Sequence, residues 1–385
     1  MIRVAFILPS QPRDWMGGIN YLRNLFWAIH ESGCQQIQPV VFCSRDFPRD
    51  ILAEFPAVET VKTGLFDRFS PSWWVRRIAR FSGRDLVLIQ LLRKHDIAVV
   101  SHKMPSGLDG GKIKLVCWIP DFQHVHLPDF FSTHELQSRD HEFKRLCDIS
   151  DRIIVSSHSA KRDLAAFYPG KENMADVLQF AVRPPDPSLI ISRVQLQEKF
   201  GIYGDYLYLP NQLWIHKNHG VVIEALHQLK KADRQVVCVF TGATNDYRHP
   251  HYFEELLQKI RVLDVEEQVK ILGVVSYKDV ISLMHHAIAV INPSLFEGWS
   301  TTVEEAKVMG KRLILSDIPV HREQVTDGSN FFDPNNPEEL AEKIWLEVES
   351  GVKRMNMSDH VRDAQIAFSG YGMKYQEIIK GVCGE

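Results

Sequence analysis

No run of about 18 apolar residues occurs in the 385-residue chain, so no membrane-spanning helix is expected. The opening MIRVAFILPSQ has one Arg and too short an apolar stretch for a signal peptide, and a cytoplasmic location is expected. The six cysteines (34, 43, 117, 147, 238 and 383) include no C-x-x-C pair, which argues against a zinc ribbon, a redox motif and a disulfide scaffold. A basic excess is also missing: 45 Lys+Arg face 48 Asp+Glu, for a formal charge of −3, unlike a general nucleic-acid binder. Neither G-x-G-x-x-G nor G-x-x-x-x-G-K-[ST] is present, which removes the dinucleotide fingerprint and the P-loop. D-x-D is absent as well, and no obligatory metal is expected.

Hydrophobic residues make up 45% of the chain and charged residues 24%, the range of folded globular proteins. The length suggests two or three domains. Short β-rich apolar runs (Arg3–Leu8, Val40–Cys43, Ile97–Ser101, Leu115–Ile119, Arg152–Ser156) alternate with helical stretches such as Asn20–Ser32 and Asp85–His95. Strands apolar on both faces, separated by helices, predict a covered parallel sheet. A Pro-rich stretch, AVRPPDPSL, follows Phe180 and reads as a semi-rigid connector. A second alternation begins at Tyr206: YLYLPN, a helix from about Asn218, VVCVFTG, a helix over 250–263, VKILGVV, a helix over 277–286, AIAVINPS, a helix from about Thr302, and RLILSD. The expected architecture is two doubly wound α/β domains whose ligands bind at the carboxyl ends of the strands.

The loops at those ends carry the candidate site. Gly17-Gly18 falls between the first strand and a helix predicted from about Asn20, where glycine lets backbone N–H groups approach a phosphate; an ordinary turn is the plainer alternative. WIPDFQHVHLPDFFS places Asp121, His124 and His126 after a strand, as site groups or as a cap and surface imidazoles. No third clustered ligand accompanies the H-x-H pair, so a metal is not expected there. Lys217 lies where a helix should begin, an unfavourable place for a cation unless an anion binds there.

The most informative segment is Asn292-Pro-Ser-Leu-Phe-Glu297-Gly-Trp-Ser-Thr-Thr-Val-Glu-Glu305-Ala. Here an apolar strand enters a Glu-Gly turn, and Ser300, Thr301 and Thr302 open a helix. Hydroxyls and free N–H groups at a helix start make an anion site. Glu297 and Glu305 bracket it, an arrangement suited to a ligand with hydroxyls on both sides of a phosphate, such as a nucleotide sugar.

This segment resembles glycosyltransferase family 4, retaining enzymes of the GT-B fold. The resemblance rests on Glu297-x7-Glu305 within PSLFEGWSTTVEEA, followed by Gly310-Lys311 and SDIP. Similar pieces run along the chain: the GG pair, IIVSSHSAKRDL at 153–164, HKN at 216–218, VFTG at 239–242, ILGVVS at 271–276 and FFDPNNPEELAEKI at 331–344. The resemblance implies two Rossmann-like domains facing a central crevice. They would be an acceptor domain over 1–183, with a last helix (368–385) crossing back to it, a linker over 184–205 and a donor domain over 206–367. It implies that Glu297, with the backbone of Gly298 and Trp299, holds the donor sugar. Ser300, Thr301, Thr302 and Lys217 hold the diphosphate, with Gly17 and Gly18 approaching from the first domain. Glu305 accepts from the ribose, and Val275 lines the base pocket. Asp121 and His124 lie near the reacting sugar.

The chain departs from the family pattern twice. Gln212 stands where the family has an Arg five residues before the Lys, leaving the missing charge to His216 or to an arginine from elsewhere. Pro120 stands where the family often has a His, and His124 is the candidate to take over. The implied activity is hexosyl transfer from a nucleotide-diphosphate sugar, a UDP-hexose such as UDP-glucose ahead of GDP-mannose. The acceptor would be a saccharide or a lipid-linked saccharide. A catalytically silent nucleotide-sugar binder and an epimerase of the same fold are the alternatives. Donor turnover separates the silent binder from the enzymes, and an acceptor requirement separates transferase from epimerase. Loss of Lys217 or Glu305 is expected to cost donor affinity and not folding, because both are read as lining an open crevice.

Residues 65–94 hold seven basic residues (Arg68, Arg76, Arg77, Arg80, Arg84, Arg93, Lys94) beside Trp73 and Trp74. That composition suits contact with an anionic membrane surface; packing of Trp73, Ile78 and Phe81 on the first sheet is the alternative.

Overall fold

The computed structural model describes residues 1–33, 35–79, 83–108, 111–326, 330–351 and 357–384. Cys34, Arg80 and Phe81, named above, lie outside them. The chain divides into two compact units. The first comprises Met1–Phe122, Gln137–Arg183 and Gln365–Glu385; the second comprises Gln123–Leu136 and Pro184–Ala364.

In the first unit the strands are β1 (Ile2–Ile7), β2 (Ile37–Cys43), β3 (Glu59–Lys62), β4 (Val99–His102), β5 (Lys114–Ile119), β6 (Arg152–Val155) and β7 (Ala175–Val177). Among the described residues they form one parallel sheet in the order β3-β2-β1-β4-β5-β6-β7. Its central strands are buried on both faces, as the apolar runs require.

Two readings of this unit change. The helix after β1 runs Met16–Glu31, so Gly17 and Gly18 sit in its first turn and do not precede it. The cause is a 3₁₀ turn, Pro12–Trp15, that feeds directly into the helix. Gly18 is buried and its missing side chain makes room for the Trp15 indole, whereas Gly17 faces open space. The last helix runs Met357–Cys383 without a break at its glycines. Gly372 meets the helix Met16–Glu31 so closely that a Cβ would overlap the Ala28 carbonyl. Tyr375 donates to Ser101 Oγ at 2.7 Å, and Gln376 Oε1 accepts from Gln36 N at 2.9 Å.

Residues 65–94 are several elements, not one amphipathic segment. A 3₁₀ turn (Gly64–Phe66) precedes the helices Pro71–Ala79 and Leu86–Lys94. Arg76 is buried in an ion pair with Asp85 at 2.7 Å, and Asp85 also caps the second helix through Leu88 N. Phe69, Trp74, Val75 and Ile78 are exposed.

The second unit carries β8 (Tyr206–Leu209), β9 (Val237–Phe240), β10 (Val269–Ile271), β11 (Ala289–Asn292), β12 (Arg312–Ser316) and β13 (Phe331–Phe332), a parallel sheet in the order β10-β9-β8-β11-β12-β13. Alternation splits its core in two. Leu207, Leu209, Phe240, Ala289 and Ile291 face one layer of helices. Tyr206, Tyr208, Val239 and Val290 face the other.

The stretch expected as a linker is partly helical. Arg193–Phe200 is closed by a Ser192–Gln195 capping box and by Gly201 in the left-handed conformation, and Leu196 joins the core. The strand order reverses between β8 and β11, the topological switch point at which open α/β sheets bind ligands.

Candidate active site

The loops after β8 and β11 flank that switch point, and both carry residues singled out from the sequence. After β8 the chain passes exposed Gln212, makes a 3₁₀ turn at Ile215–Lys217 and starts the helix His219–Lys231 behind Asn218, which is left-handed (φ 55°). Gly242, at φ 144°, lets the loop after β9 press on the Asn211–Gln212 backbone, where a Cβ would overlap Asn211 O. After β11 the 293–300 loop leads to the helix Thr301–Val308, with Ser300 as its N-cap.

The two loops meet at Lys217 and Glu297, whose Nζ and Oε1 are 2.6 Å apart. Their side chains are only 17% and 9% exposed, so this is a largely buried pair and not an open-crevice contact. Leu295 N donates to His216 O at 2.8 Å and fastens the loops a second time. Ser294 Oγ lies 2.7 Å from both Glu297 Oε1 and Asn292 Oδ1. Asn292 Nδ2 donates to Ser300 Oγ at 2.7 Å. Ser300 Oγ also accepts from Val303 N at 3.4 Å, so it serves both the loop and the helix cap. Gln324 accepts from Ser300 N and donates to Ser300 O and Glu304 Oε1. Glu304 thus faces this network, while Glu305, one residue on, is half-buried. Thr302 Oγ1 reaches Pro210 O at 3.4 Å, and Thr301 is exposed at the helix start. Gly298 and Trp299 are half-buried in the same loop, and Val275 packs at the edge of the core after β10.

The imidazoles around the pair are uncharged donors or acceptors. His321 Nδ1 bonds Ser316 O at 2.9 Å, which leaves Nε2 buried without a partner. Burial pushes its pKa down to about 4, although Glu297 pulls the other way. His216 is held well below the usual imidazole range, first by burial and then by Lys217 and Arg248. His219 is pushed down to about 3 by burial.

Gln212, His216, Lys217, Val275, Glu297, Gly298, Trp299, Ser300, Thr301, Thr302 and Glu305 all lie in the second unit. His124 and His126 belong to it too: His126 stacks on Phe296 with ring centroids 5.1 Å apart, and His124 is buried beside Phe131. Gly17, Gly18 and Asp121 lie in the first unit, where Arg139 approaches Asp121 to 3.8 Å. Sequence reading missed Asn292, Ser294, His321 and Gln324. Asn292 and Ser294 had only their place at the end of β11 as a signal, and His321 and Gln324, in the helix Pro319–Gln324, had none, since their partners are set by the fold. Among the described residues no group of three or more His, Cys, Asp or Glu is placed to hold a metal ion.

Two Rossmann-like parallel sheets define a fold of the GT-B class. Residues 198–363 match the model of the family described as Glycosyl transferases group 1. The O-antigen chain mannosyltransferase RfbU of Salmonella typhimurium is 26% identical over 58% of this chain and 55% of that protein, so the match spans about half of that relative. A glycosyltransferase from Rickettsia africae superposes with a TM-score of 0.70 at 17% identity, covering 99% of this chain and 98% of its own. Anabaena HepE, solved in complex with UDP and glucose, gives a TM-score of 0.70 at 18% identity over 100% of both chains. The solved structures establish the fold; the family match and the relative support a glycosyltransferase.

Proposed function

We propose that the protein is a retaining hexosyltransferase that takes a hexose from a nucleotide-diphosphate sugar and passes it to a saccharide or lipid-linked saccharide. The observation that carries this reading is the Lys217–Glu297 pair, held at the switch point beside a Ser300-capped helix start. In this reading Glu297 and the backbone of Gly298 and Trp299 hold the sugar. Lys217 and the first N–H groups of the helix Thr301–Val308 stabilise the charge that grows on the departing diphosphate. Glu305 takes the ribose hydroxyls and Val275 borders the base. The acceptor oxygen attacks the anomeric carbon on the face the diphosphate leaves, the bond to the diphosphate breaks, and the acceptor proton passes to the leaving phosphate oxygen. No metal is required, because positive charge and N–H donors meet the leaving group.

A UDP-hexose is the first donor to try. A mannosyl donor is the second reading, favoured by the Salmonella relative, which is named as an O-antigen chain mannosyltransferase. A panel of UDP- and GDP-sugars, assayed for nucleoside diphosphate release with and without EDTA, tests the proposal. Release from one donor class, unchanged by EDTA, is expected. No release from any donor, or release abolished by EDTA, contradicts it.

The exposed Phe69, Trp74, Val75 and Ile78, flanked by Arg68 and Arg77, support a peripheral contact with an anionic bilayer. Each basic residue near such a surface contributes about 1 kcal/mol. Cosedimentation with anionic liposomes is expected at low salt and is expected to weaken at high salt; equal sedimentation with neutral liposomes removes the contact.

A further inference from the structure

The loop after β9 carries a cation that the description above leaves unused. Arg248 is 5% exposed, and its guanidinium lies over the rings of Phe131, Trp214 and Tyr247, with its carbon 4.7, 5.5 and 5.6 Å from their centroids. A guanidinium offers five N–H donors. Here Nη1 donates to Gln123 Oε1 at 3.3 Å, and Nε is buried without a hydrogen-bond partner. Asp246, the nearest carboxylate, stands 3.8 Å from Nε, beyond hydrogen-bond reach. A buried charge is normally paired and hydrogen-bonded, because leaving its donors unmet costs free energy.

Asp246 spends its oxygens on backbone. Oδ2 accepts from Ile215 N at 3.3 Å, in the turn that ends at Lys217, and Oδ1 accepts from Arg248 N at 3.1 Å. One buried carboxylate thus ties the Lys217 turn to the Arg248 turn. Two further bonds lash the same loops together: Leu213 N to Ala243 O at 2.9 Å and Trp214 Nε1 to Asn245 O at 3.2 Å. Lys217 and Arg248 both act on His216, each adding to the lowering of its pKa by burial. Lys217 is already matched by Glu297 at 2.6 Å, so an arriving diphosphate needs donors beyond that pair.

We propose that Arg248 is the second phosphate-binding cation of the donor site, offering its guanidinium N–H groups, the unpartnered Nε–H among them, to the diphosphate while Lys217 serves from the adjoining turn. This deepens the nucleotide-sugar reading and rests on it. It also assigns a charge to the site in which Gln212 is neutral. The aromatic walls fix the guanidinium plane in advance, so little rotamer freedom remains to be lost on binding.

Titration calorimetry on the full chain tests this, with uridine, UMP, UDP, the guanine counterparts and inorganic pyrophosphate as probes. The wild type is expected to bind one nucleoside diphosphate. Arg248→Gln is expected to weaken that diphosphate and pyrophosphate by about 10- to 100-fold. It is expected to leave the nucleoside unchanged, and Arg248→Lys is expected to recover part of the loss. Unchanged diphosphate affinity in folded Arg248→Gln overturns the assignment and leaves the donor reading standing. So does an equal loss for nucleoside and diphosphate, which would make Arg248 a prop for the loop. If Arg248→Gln does not fold, Arg248→Lys decides by the same comparison: no selective diphosphate loss overturns the assignment. A wild type that binds neither diphosphate nor pyrophosphate removes the donor reading and this proposal together.

Discussion

Lys217→Ala is expected to lower turnover by at least about 100-fold, the cost of removing one charge-stabilising donor, and also to destabilise the fold. The second effect follows from burial. With Lys217 gone, the Glu297 carboxylate, 9% exposed, keeps Ser294 but loses its only cation within 4 Å among the described residues. Breaking a buried pair from one side costs about 3 kcal/mol or more, because an unmatched charge stays behind. This corrects the view that Lys217 lines an open crevice and could be removed at no cost to folding. Glu297→Gln is expected to remove activity as severely, while Lys217→Met combined with Glu297→Gln recovers much of the stability and none of the turnover. Denaturant unfolding of Lys217→Met, Glu297→Gln and their combination, alongside donor turnover, checks this. Additive losses of stability would show that the pair does not act as a unit.

Stability is expected to fall steeply between pH 7 and pH 5. His102 and His219 are pushed down to about 3 by burial, His321 to about 4, and His216 lies well below its usual range. Each folded-state value is below the unfolded value, so below about pH 6.5 the unfolded chain takes up protons that the folded chain refuses. No stability is lost to these groups above pH 7. Below pH 6.5 each contributes a loss approaching about 1.4 kcal/mol per pH unit until its folded-state value is reached. Three of the four lie in the second unit, which should yield first. A loss of at least about 4 kcal/mol by pH 5 is expected from urea unfolding at pH 7, 6 and 5. Equal stability at the three values would mean that the imidazoles are not buried neutral.

Where local pattern decides structure, the sequence was legible. Short apolar runs located ten of the thirteen strands among the described residues, but not β3, β7 and β13, short strands at sheet edges; period-3.6 patterning located the helix Tyr277–His286, and the helix at Thr301 begins one residue from where its capping hydroxyls suggest. The glycines differ in what decides their place. Gly372 is demanded by a helix passing against the Ala28 carbonyl, a contact that no local pattern announces. Gly17 and Gly18 read as preceding a helix, yet the Pro12–Trp15 turn runs straight into one that begins at Met16. In the site, Lys217 stands out because a cation is unfavourable at a helix start, and Glu297 because with Glu305 it brackets the hydroxyl-rich helix start. Gln324 and His321 do not, since a buried network joining residues 5 to 24 positions apart leaves no periodic trace. Arg248 reads as any loop arginine in the sequence; only the fold shows its burial and the unpartnered Nε.

The central claim is that the second unit holds a nucleotide-diphosphate sugar at the Lys217 and Glu297 loops. Photoaffinity labelling with 5-azido-UDP-glucose and 8-azido-GDP-mannose, followed by peptide mapping, tests it most directly. One reagent should label peptides near Val275 or Glu305, excess unlabelled donor should block the reaction, and Lys217→Ala should abolish it. Labelling confined to peptides outside 206–345, or unaffected by unlabelled donor, would contradict the account.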